Sequence, residues 1–123
     1  MEIIVSEPSV EPPVTVLAIK GEVTSGAEGV DRLRRVVEGL IGEGVINLVV
    51  DLADAEFLIS RALGQILTAA VRLRSRGGEV VIAGAKGPVA AAALAVGVGA
   101  MIEFHETVDD AVQALISKQT GAE

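Results

Sequence analysis

The chain has no cysteine, no tryptophan and no tyrosine, and only two phenylalanines among its 123 residues. Without cysteine there is no disulfide framework, no thiolate metal site and no cysteine nucleophile. With so few aromatics the core must be aliphatic, and a surface that stacks on bases or sugars is disfavoured. Positive charge is also short: ten Lys and Arg against seventeen Asp and Glu leave a net charge of −7. That balance argues against gripping a phosphate backbone, so no nucleic acid is expected as partner. No apolar run is long enough to span a bilayer; the longest, 89–102, is broken by Gly97 and Gly99. The start, MEIIVSEPSVE, is acidic and unlike a basic signal segment. A cytoplasmic chain without direct membrane insertion is the expectation.

Half of the residues are apolar, enough for one compact core at this length. The expected organisation is a single domain over 1–117 and a short tail over 118–123. Residues 3–5 form a short strand, and the Glu/Pro link after it cannot be helical. Residues 14–20 alternate, with Val14 and Val16 on one face and Leu17 and Ile19 on the other. Thr24 or Ser25 is placed to cap a helix with the apolar stripe Val30, Leu33, Val37, Leu40 and Ile41. Residues 45–52 read as a strand buried on both faces. Ser60 is placed as N-cap of a second helix with the stripe Leu63, Ile66, Leu67, Ala70 and Leu73, stopped by Gly77-Gly78. A strand over 80–83 and an Ala-rich helix from Pro88 to Gly97 follow. A strand over 101–104 and a last helix, with Thr107 and Asp110 as its capping box, complete the chain. The order β-β-α-β-α-β-α-β-α implies an α/β fold whose mixed sheet is mostly parallel, with right-handed crossovers and about four helices. The first strand suits an antiparallel edge.

Few residues carry chemistry. Ser60 follows a strand that ends at Asp51-Leu52, at the edge where α/β proteins place their working surface. A phosphate there would meet a helix N-terminus and the neighbouring Arg61. The plain alternative is a cap and nothing more. Asp51, Asp54 and Glu56 lack a calcium-loop pattern and read as a solvated loop. His105, the single histidine, has no nucleophile placed to pair with it. The turn over 84–88 lacks P-loop spacing, and Gly97-Val98-Gly99 follows a helix and not a strand. The clusters Arg32, Arg34, Arg35 and Arg72, Arg74, Arg76 read as solvated helix faces. The run 90–96 gives a small-residue helix whose outer face could receive a partner. No spacing supports an enzyme mechanism, a metal or a cofactor.

The turn LAIKGEVT, the segment 47–64, the stretch RSRGGEVVIA and the closing helix together resemble the STAS domain of bacterial anti-sigma factor antagonists. The resemblance spans nearly the whole chain. It implies a non-enzymatic regulator of transcription that binds an anti-sigma factor, itself a serine kinase, and releases it once phosphorylated. It makes Ser60 the phosphoacceptor, with Thr24, Ile59, Ser60, Arg61, Ala62, Leu63, Val89 and Ala92 as partner contacts. The family motif is Asp-Ser-Ser-Gly-Leu; here it stands as Ile59-Ser60-Arg61-Ala62-Leu63, then Gly64. Thr24 replaces the family's other aspartate, just after Gly-Glu. Fewer carboxylates and an added arginine favour an incoming phosphate, whereas a kinase built for the acidic motif meets Ile59. The alternative implied is a STAS scaffold or transporter-associated subunit that uses the same surface without phosphorylation, or a homodimer.

Overall fold

Strand β2 (Thr15–Val23) organises the sheet, because both faces of its backbone line find partners. The computed structural model describes residues 1–121. Strand β1 (Glu2–Ser6) runs antiparallel to β2 at one edge, as the sequence suggests. Strand β3 (Asn47–Asp51) pairs parallel with Thr15–Ala18 of β2 on the other side. The parallel set continues through β5 (Glu79–Ala83) to β6 (Glu103–His105), giving the order β1-β2-β3-β5-β6. Strand β4 (Ala55–Leu58) lies off this line and pairs parallel with Gly21–Val23 of β2, just beyond the reach of β3. The α/β class and mixed sheet stand as expected, with β4 an addition to the expected order. Its pattern hides it: Glu56 and Phe57 are exposed, so the segment lacks the buried run that marks β3.

The alternation of β2 sorts the core into two layers. Leu17, Ile19 and Val23, with Leu48, Val50, Val80 and Ile82, face helices α1 (Val30–Gly42), α2 (Ser60–Arg74) and α3 (Gly87–Ala95). Val14, Val16, Val49, Val81 and Ala83 face helix α4 (Val108–Thr120), which contributes Ala111, Val112 and Leu115. One residue of register therefore decides which helix layer a strand side chain meets. The buried stripe of α1 is the one its spacing indicates: Val30, Leu33, Val37, Leu40 and Ile41. Helix α4 runs on to Thr120, so it takes in the first residues of the expected tail, whose last two lie outside the described residues.

Helix starts differ from one another in an instructive way. Thr107 is a true N-cap: its Oγ1 accepts from the Asp110 N–H at 3.0 Å. Neither Thr24 nor Ser25 caps α1. A turn intervenes, Gly29 takes the cap position, and Thr24 contributes only its carbonyl, accepting from the Val30 N–H at 2.7 Å. Gly29 is required there, because a Cβ would sit 2.1 Å from the Thr24 carbonyl oxygen. Likewise, Ser60 does not cap α2. Ile59 occupies that position in extended conformation, and Ser60 is the first helical residue.

Candidate functional site

The start of α2 is built by the C-terminal end of β2. Val23 and Leu58 are register partners, and the Ile59 N–H then donates to the Val23 carbonyl at 3.1 Å. That bond extends the β4 ladder by one residue and holds Ile59 extended. The carbonyl of Ile59 next accepts from the Ala62 and Leu63 N–H groups at 2.9 and 3.3 Å, so the helix begins at once. Ser60 emerges exposed, and among the described residues its hydroxyl makes no hydrogen bond. Thr24, directly after Val23, is exposed on the adjoining chain end.

Of the expected contact residues, Thr24, Ser60 and Arg61 are exposed, and Ile59 and Ala92 are half-buried against the core. The structure does not leave Ala62, Leu63 and Val89 available to a partner. Their exposures are 0%, 1% and 3%, because the inward stripe of α2 and the sheet-facing side of α3 carry them into the aliphatic core. They shape the surface from beneath. Phe57 is 48% exposed on β4, which packs against α3. Leu94 on α3 is 61% exposed and Val96, just after it, is exposed as well.

Arginines of α1 and α2, exposed or half-buried, line a common groove. Arg34 of α1 and Arg61 and Arg72 of α2 line one groove of about 430 Å³ between the two helices. Val37, Glu38, Gly64, Gln65, Thr68 and Ala69 complete its walls. Glu38 Oε2 accepts from Arg72 Nη1 at 2.6 Å, and Gln65 Nε2 donates to the Val30 carbonyl at 3.1 Å, tying α1 to α2. The helical spacing of Arg61, Gly64, Gln65, Thr68 and Arg72 marks a single face of α2. Charged residues at that spacing look the same in sequence whether they meet open water or a neighbouring helix.

The other polar residues are engaged elsewhere. Asp51 Oδ1 accepts from the Ala53 N–H at 3.0 Å, and Asp54 lies 3.7 Å from Lys20 Nζ. Glu103 lies 2.7 Å from Lys118 Nζ and 3.2 Å from His105 Nε2. The Lys118 ammonium holds the Glu103 carboxyl below its ordinary pKa; partial burial opposes this, and His105 adds a smaller pull downward. The same hydrogen bond holds Lys118 above its ordinary value, again against burial. Among the described residues, no three His, Asp or Glu side chains are grouped to hold a metal ion. No helix among them is long and apolar enough to cross a membrane.

Comparison with known proteins agrees with this arrangement. The STAS domain family model matches residues 7–111. No curated protein matches the sequence significantly. Among solved structures, an anti-sigma factor antagonist from Mycobacterium paratuberculosis is similar at 22% identity and TM-score 0.76, over 93% of this chain and 94% of that one. A putative anti-sigma factor antagonist from Thermotoga maritima is similar at 18% identity and TM-score 0.77, over 90% and 93%. The Bacillus cell fate determinant SpoIIAA in its phosphorylated form gives 17% identity and TM-score 0.67, over 90% and 98%. At these identities the likeness establishes the fold.

Proposed function

Because the chain belongs to the STAS domain family, we propose that it is a non-enzymatic regulator of the anti-sigma factor antagonist kind, with Ser60 as its phosphoacceptor. Its partner is a serine kinase that also sequesters a sigma factor. One observation carries this reading: the Ser60 hydroxyl is exposed and unbonded at the first residue of α2, rather than spent on capping the helix. In the reaction the Ser60 oxygen takes the γ-phosphoryl group of ATP, the hydroxyl proton leaves to solvent or a kinase base, and ADP departs. The new group carries about −1.5 to −2 charges. It is stabilised by the N-terminal dipole of α2 and by Arg61, and it presents an anionic group where the partner met an uncharged hydroxyl. Thr24, Ile59, Ser60, Arg61 and Ala92 form the partner contact in this reading, supported from below by Ala62, Leu63 and Val89.

Calorimetric titration against the purified kinase tests it. Wild type is expected to bind, and Ser60→Asp to bind at least roughly tenfold more weakly. Equal affinity of the two proteins would overturn the switch. It would favour a second reading, a phosphorylation-independent STAS scaffold or transporter-associated subunit. Ile59 and Thr24, which stand where the family pattern has aspartates, support that second reading.

A further inference from the structure

The groove between α1 and α2 concentrates positive charge on a chain whose net charge is −7. Arg34, Arg61 and Arg72 surround it, and its one carboxylate, Glu38, is already bonded to Arg72. Between the guanidinium groups the floor is small or apolar, formed by Val37, Gly64 and Ala69. A Cβ built on Gly64 would meet nothing within 4 Å, so there is unfilled space directly above the α2 backbone. We propose that this groove docks an acidic, amphipathic segment of a partner protein. The proposal deepens the function given above by assigning the partner's chemistry, and it rests on that reading only for the partner being a protein.

The dimensions favour a segment over a small anion. Arg61 and Arg72 lie at opposite ends of the α2 face, so about 16 Å separates them along the helix axis at 1.5 Å per residue. One carboxylate or phosphate ion reaches one end; a segment with carboxylates on successive turns reaches both Arg61 and those guanidinium N–H groups of Arg72 that Glu38 does not engage. The floor at Val37, Gly64 and Ala69 would take the apolar side chains between those carboxylates. A guanidinium and a carboxylate match as planar, two-pronged partners, which gives the contact direction as well as charge. Nucleic acid fits poorly, because the groove has no aromatic side chain for stacking and the rest of the surface repels phosphodiesters.

Fluorescence anisotropy with a labelled, end-blocked helical peptide of about four turns tests the proposal. The peptide carries Leu along one face and Glu on its flanks, and a control replaces each Glu with Lys. The acidic peptide is expected to bind saturably, more weakly as salt rises, and at least roughly tenfold more tightly than the Lys control, although long-range charge favours the control. Gly64→Leu should keep the melting temperature of wild type and lose at least roughly tenfold in affinity, because its side chain fills the groove. Arg34→Gln should weaken binding and flatten the salt dependence. Absence of saturable binding, equal binding of the Lys control, or undiminished binding by Gly64→Leu would overturn the proposal. Displacement of the peptide by millimolar phosphate or acetate would overturn it too, in favour of a small-anion site. The two readings fail separately. Loss of the peptide result with Ser60 phosphorylation intact removes the groove alone, and the converse removes the phosphoacceptor alone.

Discussion

The N–H of Ile59 donates to the carbonyl of Val23 at 3.1 Å, and this bond decides what Ser60 can do. By continuing the β4 ladder it places Ile59 in the cap position of α2, and Ser60 becomes a helical residue whose side chain faces outward. A serine at the cap would have been held against the helix end. A serine one residue later keeps its hydroxyl exposed, as the proposed acceptor role requires.

Stability should separate these two positions. Ser60→Ala removes no hydrogen bond, so its unfolding free energy should stay within about 0.5 kcal/mol of wild type, as for ordinary surface changes. Thr107→Ala removes the cap bond that Thr107 Oγ1 accepts from the Asp110 N–H and should cost about 1 kcal/mol. Urea unfolding of the two variants checks the contrast; a clear loss for Ser60→Ala would mean that its hydroxyl does cap α2.

Leu63 tests whether the neighbouring motif residue serves binding or packing. At 1% exposure it lies in the layer between α2 and the sheet. Leu63→Ala should cost about 2–5 kcal/mol through lost burial and a residual cavity. Where the variant is still folded at low temperature, its partner affinity should match wild type. Undiminished stability with lost binding would contradict the packing role.

The Glu103–Lys118 pair gives a pH signature with a definite sign. Glu103 is held below its ordinary pKa, so its contribution is present above the ordinary carboxylate range and lost as pH falls through the folded-state value. Lys118 is held above its ordinary pKa, so its share persists below the ordinary lysine range and fades as pH rises through the folded-state value. Both side chains are more than a third exposed, which limits the effect to the roughly 0.2–1 kcal/mol typical of solvated pairs. Lys118→Met should therefore trail wild type near about pH 7, with the gap closing toward about pH 2. Denaturant melts across that range check it, and a gap independent of pH would contradict the ion-pair origin.

Where burial alternates cleanly, sequence and structure agree. Val14 and Val16 face α4, Leu17 and Ile19 face the other helices, and the α1 stripe is buried as its spacing requires. Capping was legible at Thr107, where the next turn follows directly. It was misleading at Ser60 and Thr24, because the backbone had another claim on those positions: a strand ladder in one case and a glycine turn in the other. β4 was hidden for a related reason, since it is short and half-exposed and is defined by pairing with the far end of β2. The groove needed two helices at once. Arg34 lies on α1 and Arg61 on α2, and no local pattern joins residues that only packing brings together.

Intact-mass analysis after incubation with ATP and the anti-sigma factor kinase tests the central claim most directly. Wild type is predicted to gain a single phosphate and Ser60→Ala to gain none. Equal gain on the variant, or none on wild type from a kinase that binds it, would contradict the assignment of Ser60 as the acceptor.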